Sequence, residues 1–268
     1  MTGPYVQYRA ADGAATLTLD SPHNRNALST RLVTELRQGL AAAAADPAVR
    51  AVVLTHTGGT FCAGADLAEA SAAPAREAGA SVGAAGPAAL AAARTESMAE
   101  LLRAVLELPK PVVAQLDGHV RAGGMGLVGA CDIVIAGPSC TFALTEARLG
   151  LAPSIISLTV LPRLTSRAAS RYFLTGEKFG PQEAEQLGLV TIATGNTAEA
   201  TAAILGQLRL ASPQGLAESK ALTTAAILAE FDRSADYLAA QSARLFASEE
   251  SLEGMNAFLQ KRRPRWAR

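Results

Sequence analysis

Asp117-Gly118-His119-Val120-Arg121-Ala122-Gly123-Gly124-Met125-Gly126-Leu127 is the stretch on which the fold turns. Residues 111–116 ahead of it are mostly apolar, with Val112 and Val113 β-branched, so they read as a buried strand. The run of small residues then lets the chain pass sharply from that strand into the start of a helix. Such a turn exposes unpaired backbone N–H groups at the positive end of the helix dipole. A second cluster, Gly58-Gly59-Thr60-Phe61-Cys62-Ala63-Gly64-Ala65-Asp66-Leu67, follows another apolar strand at residues 49–55. Neither cluster has the spacing of a dinucleotide fingerprint or a P-loop. Two N–H groups aimed at one point form an oxyanion hole, and small residues let a substrate oxygen approach them. Close helix packing is the other use of such glycines, above all for residues 122–126.

Working outward, residues 6–20 alternate around Asp12-Gly13 and predict a β-hairpin. Ser29 caps a helix that runs to about Ala45, with Leu32, Leu36 and Leu40 on one face, and Asp46-Pro47 stops it. Residues 133–136 read as a further strand. Strands separated by helices predict parallel pairing with crossovers. Residues 68–95 are mostly Ala, Gly, Ser and Pro, and read as a mobile loop or frayed helix, either a plain insertion or a lid. Beyond Pro181 the pattern is helical, with helices expected near 181–187, 197–210, 213–230, 234–247 and 249–260.

Composition narrows the function classes. Lys and Arg number 24 and Asp and Glu 24, so there is no basic footprint for nucleic acid. The 49% apolar content of 268 residues supports a sizeable core. Cys62, Cys131 and Cys140 are too few and too scattered for a disulfide framework or a metal knuckle, which fits a reducing cytoplasm. No apolar run reaches the length of about 18 residues that a membrane span needs. Neither a signal peptide nor a metal-ligand cluster is visible.

Five motifs in order give the clusters a context. They are Asn26-Ala27-Leu28, then residues 61–67, then Pro109-Lys110-Pro111-Val112-Val113-Ala114 with the second glycine cluster and Ala130-Cys131-Asp132-Ile133. Residues 142–153, which contain Glu146, come next, and the ending is Phe258-Leu259-Gln260-Lys261-Arg262-Arg263-Pro264-Arg265-Trp266. Together they resemble the crotonase (enoyl-CoA hydratase/isomerase) superfamily over nearly the whole chain. The resemblance implies an α/β fold: a crotonase-like spiral of ββα units in residues 1–195, with a C-terminal helical trimerisation region in 196–268. It implies an acyl-CoA thioester as substrate, with CoA as part of that substrate rather than a separate cofactor. Homotrimers or dimers of trimers are the implied assembly. By the same resemblance the amides of Ala65 and Gly123 hold the thioester oxygen. Ala63, Asp66 and Leu67 line the adenine pocket. Arg25 and Lys261 meet CoA phosphates, Lys261 from a neighbouring subunit.

The carboxylates depart from the family pattern. Its hydratases generally use two glutamates, and here Gly126 stands at the first place and Glu146 at the second. Read on its own, Glu146 is also an ordinary helix-start glutamate. One carboxyl suffices to move a proton at carbon 2 of a polarised thioester. Water addition to a 2-enoyl-CoA is the first expectation, and 3,2-enoyl-CoA isomerisation by the same Glu the second. A non-catalytic acyl-CoA-binding oligomer is a third, from another class. Gly126→Glu is expected to restore a second base. His119 and Arg121 read either as surface or interface charges or as partners for a distal acid on the acyl chain. Asp132 reads as a structural acceptor, and Cys62 as a packed residue.

Overall fold

Asp12 and Gly13 both lie at positive φ, 50° and 75°, the conformation that suits an Asp-Gly hairpin turn. They join β1 (Val6–Ala11) to β2 (Ala14–Leu19) as an antiparallel pair. The chain is seen here as a computed structural model that describes residues 3–66, 69 and 87–267. The Ser29 side chain accepts from the Leu32 N–H and starts α1 (Thr30–Ala45), which buries Leu32, Leu36 and Leu40.

Three successive passes then share one plan. The first is β3 (Ala51–His56), β4 (Thr60–Cys62) and α2 (Pro87–Glu107). The second is β5 (Val112–Leu116), β6 (His119–Arg121) and α3 (Gly123–Ala130). The third is β7 (Ile133–Ala136), β8 (Phe142–Ala143) and, after a 3-10 turn at Glu146–Leu149, α4 (Ser154–Val160). The first strand of each pass joins a six-stranded sheet, and the second joins a parallel three-stranded sheet of order β4-β6-β8. Each pass therefore advances both sheets by one strand, which is the expected spiral of ββα units. The chain goes on through α5 (Ser166–Thr175), α6 (Pro181–Gln186), β9 (Ile192–Ala193), α7 (Thr197–Leu210), α8 (Pro213–Phe246) and α9 (Glu249–Leu259). The large sheet runs β1-β2-β3-β5-β7-β9, and all its pairs after the hairpin are parallel.

Two expectations change. The helix break near residues 231–233 is absent, and α8 runs unbroken for 34 residues. No Gly or Pro stands there, and the Ser234 hydroxyl turns to the Glu230 carboxylate at 2.5 Å within the helix. Of the Ala-rich stretch 68–95, residues 87–95 belong to α2. Residues 67, 68 and 70–86 lie outside the described residues, so the lid reading falls outside them too. Glu69 accepts from the Thr30 N–H and hydroxyl, and its carbonyl accepts from Arg94.

Asp132 has the structural role expected of it. Its Oδ2 accepts from the Val112 N–H at 2.7 Å and pairs at 2.7 Å with Lys220 of α8. Lys220 is buried and also donates to the Val105 and Lys110 carbonyls. A buried ammonium needs such partners, and this one fastens α8 to the start of β7.

His56 closes β3 and holds the turn between β5 and β6. Its Nε2 accepts from the Asp117 N–H at 3.1 Å, and burial pushes its pKa below the ordinary 6.5. The folded protein therefore refuses a proton that the unfolded chain takes up. Its stability from this source is full above 6.5 and is lost as pH falls through the depressed folded value. The unfolding midpoint should drop below pH 6.5, and His56→Gln should flatten that part of the profile. Equal slopes in both proteins would show that His56 stays neutral in the unfolded chain too, or charges freely in the fold.

Candidate active site

The three-stranded sheet builds the site. Ala122, between β6 and α3, sits at φ 46° and ψ −120°, a conformation that glycine favours. Such backbone costs on the order of 1–3 kcal/mol and persists only when its surroundings impose it. Here the Ala122 N–H donates to the Ala143 carbonyl of β8, and the Ala122 carbonyl accepts from Met125. Gly123 follows as the first residue of α3, with its N–H at the positive end of that helix. The loop after β4 is pinned to residues 25–28: the Leu28 N–H donates to the Gly64 carbonyl, and the Ala63 N–H to the Arg25 carbonyl. Gly64 lies at φ 90°, and a Cβ there would stand 2.7 Å from Ala122 Cβ and 3.3 Å from the Gly123 nitrogen. The two glycine turns therefore touch. Among the described residues, neither the Ala65 N–H nor the Gly123 N–H donates to a protein acceptor.

Glu146 opens the 3-10 turn that follows β8. Since β8 pairs with β6 through Arg121 and Ala143, the turn comes from the strand next to the one that delivers Gly123. The residue as a whole is half-buried, yet its Oε2 is shut off from solvent and has no hydrogen-bond partner among the described residues. Burial raises the carboxyl pKa to about 7, against an ordinary 4.5. A buried carboxyl oxygen without a partner is costly to keep, and the plain helix-start reading does not account for it.

The C-terminal helix α9 backs this turn. A Cβ on Gly254 would meet the Leu149 carbonyl oxygen at 2.4 Å, so helix and turn are in backbone contact. Gly254→Ala should force them apart and destabilise the fold by about 1–3 kcal/mol, as overpacking does, with a loss of activity through the displaced Glu146. Urea unfolding checks this; an unchanged midpoint would mean that α9 yields freely.

The family model described as enoyl-CoA hydratase/isomerase matches residues 9–268. The chain belongs to the enoyl-CoA hydratase/isomerase family. It is 31% identical to the 2,3-dehydroadipyl-CoA hydratase of Escherichia coli, over 92% of this chain and 92% of that one. Among solved structures, an enoyl-CoA hydratase from Mycobacterium avium is 54% identical with a TM-score of 0.89, over 99% of this chain and 100% of that one. The carnitinyl-CoA hydratase of M. avium is 29% identical with a TM-score of 0.83, and 99% of each chain is covered.

Arg25 is at φ 59° and, with Pro22 and Thr57 to Thr60, lines a recess of about 50 Å³. Asp66 accepts from Asn24 Nδ2 at 3.0 Å, so Arg25, Ala63 and Asp66 share one edge of the loop. Leu67 lies outside the described residues. Lys261 follows α9 at φ 53° and shares no hydrogen bond or ion pair with the Arg25 edge among the described residues. Arg121 is held by the Thr141 carbonyl and hydroxyl and the Val120 carbonyl, and the same hydroxyl meets His119 Nδ1 at 3.0 Å. Cys62 is fully buried, and burial pushes its thiol to about 12, the state of a packed residue and not of a nucleophile.

Sequence reasoning missed the apolar wall. Leu28, Met98 and Ile156 crowd the face of α3 that carries Gly123 and Gly126. A Cβ on Gly126 would stand 2.5 Å from Ile156 Cγ2, so Gly126→Glu does not simply restore a base. Met98 and Ile156 come from α2 and α4, and as two among many apolar residues in helical runs they carry no signal that points to α3.

Proposed function

We propose that this family member is an enoyl-CoA hydratase-like lyase that adds water to a 2-enoyl-CoA with Glu146 as its one acid–base carboxyl. The observation that carries this reading is the buried, unpartnered Oε2 of Glu146 with its pKa near 7. A carboxyl poised near neutrality serves both as base and as acid. The Ala65 and Gly123 amides polarise the thioester carbonyl, and ionised Glu146 takes a proton from water. The oxygen of that water bonds to carbon 3 while the double-bond electrons move onto the thioester oxygen. Collapse of the enolate takes the proton from Glu146 to carbon 2. Enoyl-CoA is substrate throughout, and Arg25, Ala63, Asp66, Leu67 and Lys261 are proposed to meet its nucleotide end.

A second reading is supported by the packing of Ile156 against Gly126, which leaves no place for a second base. In 3,2-isomerisation Glu146 takes the carbon 2 proton of a 3-enoyl-CoA and returns it at carbon 4, with no water consumed. Binding without catalysis offers no account of a carboxyl with one oxygen kept buried and unpartnered. A homotrimer or dimer of trimers is proposed for the assembly, supported by the exposed apolar side chains Leu222, Tyr237, Leu252 and Phe258 on α8 and α9. A reducing cytoplasm suits three buried free thiols. Among the described residues, no helix is long and apolar enough to cross a membrane.

Turnover of a panel of 2-enoyl and 3-enoyl thioesters, followed by absorbance and by mass, tests the reading. Hydration adds the mass of water and bleaches the conjugated thioester; isomerisation of a 3-enoyl substrate creates conjugation at constant mass. No change in any member of the panel would overturn both readings.

A further inference from the structure

Gly126 lies one turn after Gly123 on α3. A Cβ built there falls 2.5 Å from Ile156 Cγ2, 2.9 Å from Ile156 Cβ and 3.3 Å from Met98 Cε. Three residues on, a Cβ at Gly129 would meet the Thr159 carbonyl oxygen at 2.6 Å. Residues three apart share a helix face, so Gly126 and Gly129 offer one bare strip to α4. Ile156 and Thr159, also three apart, fill it, and both are buried. The Thr159 hydroxyl donates to the Gly126 carbonyl at 2.9 Å and fixes the register of the crossing. The place of the second glutamate is therefore closed by a helix–helix contact. Met98 Cε also stands 3.8 Å from a Cβ at Gly123, and Leu28 Cδ1 stands 2.8 Å from it, so the surroundings are apolar. A carboxylate there would be crowded and stripped of solvent.

We propose that Ile156 is a specificity-determining residue: seated against Gly126, it closes the place a second carboxyl would take, and so keeps the ratio of hydration to double-bond migration below what a second carboxyl would give. The proposal rests on the acyl-CoA reading above. Migration breaks one C–H bond at carbon 2 and makes one at carbon 4, and needs only Glu146. Hydration must also bring a water oxygen to carbon 3, which a second base would orient.

The test compares Gly126→Glu, Ile156→Gly, Ile156→Ala and the two double variants with the wild type. Thermal midpoints are measured first, then rates on 2-enoyl and 3-enoyl thioesters resolved by mass. Gly126→Glu alone should lower the midpoint by several degrees. It should lower it less beside Ile156→Ala, which keeps the Cβ at 2.9 Å, and least beside Ile156→Gly. The Gly126→Glu/Ile156→Gly protein should show a hydration-to-migration ratio at least about tenfold above Ile156→Gly alone. An equal thermal cost of Gly126→Glu in every background overturns the steric claim. An unchanged ratio in a folded double variant overturns the specificity claim. A wild type inactive on every thioester overturns the acyl-CoA reading and the ratio with it, while the thermal series still decides whether Ile156 closes the position.

Discussion

Glu146→Gln should lower turnover of an enoyl-CoA thioester by about 10²–10⁴-fold, the usual effect of losing a positioned acid–base group, with thioester binding retained. The amide keeps the shape and the burial of the carboxyl and loses only its proton chemistry. The same variant should be the more stable protein at neutral and alkaline pH. With its pKa raised from 4.5 to about 7, folded Glu146 keeps a proton between those values that the unfolded chain has released. That contribution to stability falls as pH rises through this window and levels off above it. At 1.36 kcal/mol per unit, the penalty above pH 7 is about 3 kcal/mol. Glu146→Gln escapes it, so its unfolding midpoint should exceed that of the wild type at pH 8 and match it near pH 4.5. Full activity in a folded Glu146→Gln protein would remove Glu146 from the chemistry.

Gly123→Val should cost on the order of 10²-fold or more in turnover, the scale seen when one oxyanion donor is lost. Gly123 has no positive φ, so valine meets no backbone barrier there. Its Cβ would press on Leu28 Cδ1, the far end of a flexible side chain and not backbone, so the fold should survive. The two γ-carbons would then stand in front of the Gly123 N–H and hold the thioester oxygen away. Gly123→Ala, without γ-carbons, should lose less. Circular dichroism and the thermal midpoint establish folding, and steady-state rates give the effect. Near-normal turnover in folded Gly123→Val would leave Gly123 with a packing role alone.

Elements with strong local chemistry were legible in the sequence. The Asp-Gly hairpin, the Ser29 cap, the stop at Asp46-Pro47 and the strands around both glycine clusters depend on a few neighbouring residues, and each stands where its residues place it. The family, and the spiral it implies, came from five motifs in order. Long-range packing was not legible. The absence of Gly and Pro near residue 231 permits a continuous α8 without requiring it, and burial of Phe231 against the core carries the helix through. The Asp132–Lys220 pair joins residues far apart in sequence, and only Asp132 was visible as a structural acceptor. Gly126 was legible as a missing carboxyl but not as a helix contact, since its partner Ile156 is one of many apolar residues in a helical run.

The pH dependence of kcat/KM for a short-chain 2-enoyl-CoA, from pH 5 to pH 9, tests most directly whether Glu146 is the acid–base carboxyl. The wild type should lose rate as pH falls below about 7, when the buried carboxyl becomes protonated and no longer accepts a proton from water. The residual activity of Glu146→Gln should lack that limb. A wild-type profile that is flat from pH 5 to pH 9, or the same acid limb in Glu146→Gln, would contradict the account.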